Sequence, residues 1–275
     1  DQWPEIRGTL EGVTPERAQL TNLGTAVFEI PRMERPARAR LELRLLSAGG
    51  ELITRNHHEL YFFPRLESPS QDLRVAAPGL PRLSARLADM GYEMVDESLA
   101  DLVVVERMTD ELRWYAQNGG RVLWLAEQPE SQQAHLGSIS IAQRHGRSWQ
   151  GDWASSMSWI RQDRMFGDIP TGGTVDFAFA DLTPETVIVG LTPRDFAANV
   201  HSGLFVGWLH HVVALVAERP IDRGRLMICT YGIRDHLGTH PVASIMMRDL
   251  IARTARAGSL VERTHLVDRP PVPLR

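Results

Sequence analysis

The sequence predicts an α/β protein in two parts, a small antiparallel β-sandwich segment over residues 1–66 and a doubly wound domain with a mainly parallel sheet over 67–275. Three observations carry this. Before Pro64 the apolar residues alternate at period two, with no helical spacing. A polar, proline-containing stretch over 65–71 separates the halves. After Leu73, strand-like runs alternate with helical spacing, the pattern of strands wound through helices into a parallel sheet.

Residues 26–30 (AVFEI) are rich in branched and aromatic side chains and end at Pro31, which reads as a strand. Residues 39–45 alternate so that Leu41, Leu43 and Leu45 share one face, expected to be buried. Ser47, Ala48, Gly49 and Gly50 make a turn, 51–54 is its hairpin partner, and 59–63 is a further strand stopped by Pro64. Antiparallel strands without helices most simply form part of a sandwich.

In the second part, 73–77 reads as a strand and 81–90 as a helix with Leu83 and Leu87 on its inner face, capped by Gly91. Residues 92–95 and 101–105 are strands, the second apolar enough to be buried on both faces. A helix over 109–119 starts at Thr109 or Asp110 and stops at Gly119-Gly120, and 122–126 is the next strand. Residues 128–184 are irregular and rich in Trp, Ser and Gly. Strands are expected again at 186–190, 204–209, 212–217 and 225–231, the last two joined by a turn at 221–224. His240-Pro241 opens a final helix.

With 30 basic and 34 acidic side chains well mixed along 275 residues, no basic patch marks a nucleic-acid or anionic-membrane partner. No run is apolar and long enough to span a bilayer. The single cysteine, Cys229, rules out an internal disulfide and a cysteine zinc site; it fits a reducing compartment, and a cytoplasmic location is expected. The opening residues Asp1-Gln2-Trp3-Pro4 read as a chain cut from a longer one.

The candidate chemistry is sparse. Cys229 lies mid-strand in an apolar run, whereas a reactive thiolate needs a strand-to-helix elbow whose amides lower its pKa, so it is read as an inert core residue. No nucleophile elbow, Walker loop or dinucleotide fingerprint is present. The pairs His57-His58 and His210-His211 fall on opposite strand faces and cannot chelate as units. His236 and His240 are four apart, but Gly238 and Pro241 make that stretch a loop leading into a helix, where capping is expected in place of metal binding. Asp96 and Glu97 read as solvated loop charges, not a glycosidase dyad. Trp149, Trp153 and Trp159, with Phe166, form an expected aromatic cluster; such rings can stack on sugars, but pinning a long loop to the core or to a neighbouring domain is the favoured role. No catalytic, cofactor-binding or metal-ligating residue is expected in this chain.

Residues 203–210 (GLFVGWLH), 222–226 (DRGRL) and 239–243 (THPVA) resemble the C-terminal region of bacterial family 2 glycoside hydrolases, the β-galactosidase, β-mannosidase and β-glucuronidase group. Residues 40–64 look like the last strands of the immunoglobulin-like sandwich of such enzymes. The resemblance implies a flavodoxin-like or class I glutamine amidotransferase-like domain following that sandwich and a catalytic barrel. Two departures remove the catalytic sets. Where the amidotransferase cysteine would stand, this chain has Ala126-Glu127-Gln128. The glycosidase glutamates belong to a barrel of about 250 residues that the chain has no room for.

The expected function is therefore a non-catalytic accessory region of a glycosidase in carbohydrate metabolism, serving stability, domain packing or oligomerisation. Its expected partners are the catalytic barrel of the parent chain or a second copy, with carbohydrate as a further one. The alternatives are a free-standing carbohydrate-binding or ThuA-like module, and an enzyme using the carboxyl edge of the parallel sheet. Glu127 is expected at that edge, pointing into a crevice that the Trp-rich segment covers.

Overall fold

A computed structural model describes residues 5–12, 18–66, 73–128, 135–151 and 156–256. The stretch 67–71 of the expected linker, and Trp153, lie outside the described residues. The chain divides into two compact units, Asp1–Arg65 and Leu66–Arg275.

In the first unit, β1 (Ala37–Leu46) and β2 (Leu52–Phe62) form an antiparallel hairpin. Its turn is closed by Ser47 N–H donating to the Glu51 carbonyl at 2.8 Å and by Gly50 in the left-handed region at φ 84°. Pairing of Leu41 with His58 and Leu43 with Asn56 puts the leucines on one face, while Arg38 and Arg40 share Glu59 on the other. The leucine face is not the buried one expected, since a lone two-stranded ribbon has nothing to cover it and Leu43 is 57% exposed. The described residues of this unit therefore hold one two-stranded sheet in place of the expected sandwich. Residues 26–30 form no strand, and Val27 is 91% exposed, because no neighbouring strand takes up their backbone groups. The runs 51–54 and 59–63 merge into the single strand β2, since the polar residues between them cost nothing on a ribbon open to water.

The second unit is mixed α/β. In chain order it contains β3 (Arg74–Ala76), α1 (Pro81–Asp89), β4 (Glu93–Met94), β5 (Leu102–Val105), α2 (Asp110–Gln117), β6 (Arg121–Leu125), β7 (His135–Leu136) and β8 (Ile139–Gln143). There follow β9 (Ser156–Ile160), β10 (Thr186–Val189), α3 (Pro193–Ala198), β11 (Val200–Val206), β12 (His211–Ile221), β13 (Gly224–Cys229) and α4 (Pro241–Ala255). One eleven-stranded sheet carries them in the order β4-β3-β5-β6-β13-β12-β10-β8-β7, with β11 on β12 and β9 on β11.

The five strands from β4 to β13 are parallel to their neighbours within that set. Beyond β13 the pairing is antiparallel. The reversal has a local cause: Asp222-Arg223 join Ile221 to its partner Gly224 in a tight turn, which can return a strand only antiparallel. Strands β5 and β6 are buried on both faces. One face, through Val103, Val122, Trp124, Leu226 and Ile228, packs against Ala116 of α2. Helix α4 also contacts β5, β6 and β13, yet none of its buried residues belongs to that cluster, which puts it on the other face. Most of its surface is buried, through Val242, Ile245, Met246, Met247, Leu250 and Ile251, while Arg248, Asp249 and Arg253 are partly exposed and ion-paired.

Local signals account for the helix ends. Thr109 caps α2, its hydroxyl accepting from Leu112 N–H at 3.3 Å. Gly91 follows α1 at φ 96°, as an αL stop requires. Helix α3 and strands β7 to β9 were not anticipated from the sequence. Yet Thr192 and Asp195 bracket the start of α3 as a reciprocal capping box, a signal present in the residues themselves.

Candidate functional site at the carboxyl edge of the parallel strands

In parallel sheets of this kind, ligands meet the protein beyond the carboxyl ends of the strands. Here those ends are residues 77–79 after β3, 106–109 after β5, 126–128 after β6 and 230–236 after β13. Ala126 N–H donates to the Cys229 carbonyl at 2.8 Å, so β6 and β13 stay paired to their last residues and set Glu127 at the mouth. One Glu127 carboxylate oxygen accepts both Ile233 N–H and Arg234 N–H, each at 3.1 Å. The guanidinium of Arg234 pairs in turn with Glu106 from the end of β5 and with Asp235, the latter at 2.9 Å. Trp124 underpins the arrangement by donating its indole N–H to the Glu106 carbonyl at 3.0 Å.

Burial pushes the Glu127 carboxyl up to about 7, although Arg234 and the two amides favour its charged form; Asp235 pushes in the same direction as burial. Burial also raises the Cys229 thiol, and the neighbouring Glu127 charge adds to this. That is the reverse of what a nucleophilic thiolate needs. Arg234 is held firmly protonated, chiefly by its hydrogen bonds to Asp235. The mouth thus holds a carboxylate already hydrogen-bonded to the loop that follows β13. The open part of this edge is a shallow groove of about 840 Å³ beside β3, with Ser84 on one side and the exposed Asp96 and Glu97 on the other.

The hairpin histidines follow their spacing, but His210 lies in the turn before β12 at φ 54° and not on a strand with His211, and His240 makes no side-chain capping bond. His57 and His58 point to opposite faces of the hairpin. His236 and His240 meet edge to face with ring centroids 6.1 Å apart, in a turned segment before α4, with His240 at its N-cap position. Burial lowers the His240 pKa, and His236 lowers it further. Among the described residues, no group of three His, Cys, Asp or Glu is arranged to hold a metal ion.

The tryptophans sit in the antiparallel half. Trp149 is buried, its ring centroid 4.6 Å from that of His211, whose Nε2 lies 2.9 Å from the Ser148 carbonyl. Trp159 on β9 stacks on Phe205 of β11 at 6.0 Å and 25°. It also covers Gly203, where an added Cβ would meet the ring at 2.7 Å. Phe166 is fully buried in the loop after β9, its amide donating to Asp249 of α4 at 2.8 Å. The expected aromatic residues are thus held by different partners, and Glu127 stands on another part of the sheet.

Sequence reasoning missed one buried charge cluster. Glu218 of β12 is 5% exposed and receives Arg253 Nε at 2.9 Å, Arg225 Nε at 3.3 Å and His201 Nε2 at 3.3 Å. Burial alone would raise its pKa, but His201, Arg253 and Arg225 together pull it down to about 2. Burial keeps His201 below its ordinary value despite the nearby carboxylate, so the imidazole is neutral and donates to Glu218.

Compared with known proteins, the chain matches no protein-family model and no curated protein sequence. No helix among the described residues is long and apolar enough to cross a membrane.

Proposed function

We propose that this chain is a non-catalytic accessory region of a glycoside hydrolase of the family 2 kind, and that its second unit is a doubly wound, amidotransferase-like module serving stability, domain packing or oligomerisation. One observation carries the reading. At the strand end where the resemblance would put a nucleophile stands Glu127, its carboxylate taken up by the amides of Ile233 and Arg234 while Arg234 is tied to Glu106 and Asp235. Among the described residues, the Glu127 carboxylate, the two amides it accepts from and the Arg234 guanidinium are thus engaged with one another and not aimed at a developing oxyanion. The only thiol of the chain is buried in β13 with its pKa raised. The Trp149 ring lies tilted against His211 and the Trp159 ring is stacked on Phe205, which supports a packing role over stacking on sugar.

The test is turnover by the purified 275-residue chain. Aryl β-galactoside, β-glucuronide, β-mannoside and glutamine should all react at the buffer rate. Turnover of any of them that disappears on a single substitution at Glu127, Asp96 or Glu97 would overturn the reading.

A further inference from the structure

We infer that the exposed end of β9, β11 and β12 is a self-association surface whose occupant is a second copy of this chain. The inference rests on the accessory reading above and names the surface through which it acts. Met157, Phe205 and Val212 are aligned across three neighbouring strands, since Phe205 pairs with Met157 on one side and with Val212 on the other. They are 56%, 37% and 52% exposed, and Trp208 in the turn between β11 and β12 is 75% exposed. Residues in direct register across a sheet project from the same face. This face is the continuation of the core: Trp159, two residues from Met157 on β9, packs against the buried cluster around Ala214 and stacks on Phe205. Toward the middle of the sheet Leu191 and Phe196 pack against that cluster, while at this end the apolar row runs out into water.

Aromatic side chains span about 150–250 Å² each, so the four residues expose on the order of 400 Å² of apolar surface. That lies within the roughly 300–600 Å² of the largest apolar patch on a soluble monomer, a patch that is often functional. It is also about half of the ~800 Å² per partner in a stable interface, and the fully buried centre of such an interface is its apolar part. A two-fold pairing brings the same row onto itself, which needs no complementary partner sequence. A net charge of -4 over 275 residues sets little repulsion against it. The aligned row presents no polar side chain to orient a sugar, which favours protein over carbohydrate as occupant.

The experiment is sedimentation velocity with light scattering on the 275-residue chain from about 1 to 200 μM. The variants are Phe205→Glu, Met157→Lys and, as an apolar-to-charged control elsewhere, Trp114→Glu on α2. Dimers are expected for the unaltered chain, with the dissociation constant raised at least tenfold by F205E and by M157K and left alone by W114E, at unchanged circular dichroism. M157K keeps the test valid if F205E disturbs the Trp159 stack. A monomer at every concentration, a dimer indifferent to both substitutions, or equal loss with W114E would overturn the inference. Turnover measured on the same samples separates the two readings: an inactive monomer overturns the interface alone, whereas turnover overturns the accessory reading whatever the mass.

Discussion

Glu127 and Arg234 are joined twice over: the carboxylate of the first accepts the backbone N–H of the second at 3.1 Å, and the positive guanidinium of the second favours the charged form of the first. Even so, burial dominates and raises the carboxyl to about 7 from its ordinary 4.5. A folded-state pKa above the unfolded one means that the group's contribution to stability is fully present below about 4.5 and is lost as the pH rises through 7. The displacement corresponds to about 3 kcal/mol. Thermal melts from pH 5 to 8 should therefore show a fall in stability with pH that Glu127→Gln abolishes. A glutamine keeps an acceptor for both amides and carries no charge, so the variant should be the more stable protein at pH 8. An unchanged slope in E127Q would remove Glu127 as its source.

Glu218 behaves with the opposite sign. Its carboxyl is drawn down to about 2, so its contribution is present above pH 4.5 and is lost as the pH falls toward 2. Removing it as Glu218→Ala leaves Arg225 and Arg253, both mostly buried, facing each other without a counter-charge. Breaking such a set costs about 3–5 kcal/mol. Urea unfolding at pH 7 should show a loss in that range for E218A; a loss below 1 kcal/mol would mean that the two arginines reach water.

Cys229 should be silent toward thiol reagents in the native state. It is fully buried in β13 between β6 and β12, with its pKa raised by burial. Labelling by a disulfide reagent should be slow in buffer and fast in 6 M guanidinium. Rapid native labelling would show that β13 opens locally at its carboxyl end.

What the sequence made legible was mostly what acts over a few residues. The apolar run 101–105, the glycine after Met90 and the turn at 221–224 each correspond to a strand, a helix stop and a hairpin. That turn also held the information that the parallel set ends at β13, since residues so close can only pair antiparallel. The buried cluster was illegible because His201, Glu218 and Arg253 are separated by 17 and 35 positions, and a lone charge in a strand reads as a solvated one. Strands β8 and β9 do alternate at period two, through Ile139-Ser140-Ile141 and Met157-Ser158-Trp159, but each is five residues long and set among turns, too short a run to stand out before pairing with β10 and β11 is known. At the carboxyl edge, the position of Glu127 after its strand was readable, whereas its two amide donors lie 106 and 107 residues away.

The reversal of the sheet depends on Gly224. It opens β13 with its Cα against the carboxyl end of α2: an added Cβ would stand 1.9 Å from the Ala116 carbonyl oxygen and 2.3 Å from that of Gly120. Both are backbone atoms, so no rotamer change relieves the clash. The same approach lets Arg225 N–H donate to the Gly120 carbonyl at 3.0 Å and seats the β12–β13 turn against α2. Gly224→Ala must therefore push the hairpin off the helix, and a loss of at least about 1–3 kcal/mol is expected, as for overpacked interiors. Gly232, eight residues on, is the control. An added Cβ there meets nothing within 4 Å, so Gly232→Ala should stay within about 0.5 kcal/mol of the unaltered chain, the range of substitutions that disturb no packing. Urea midpoints of the two variants side by side decide it: equal stability would mean that β12 and β13 are not held against α2 as closely as this geometry requires.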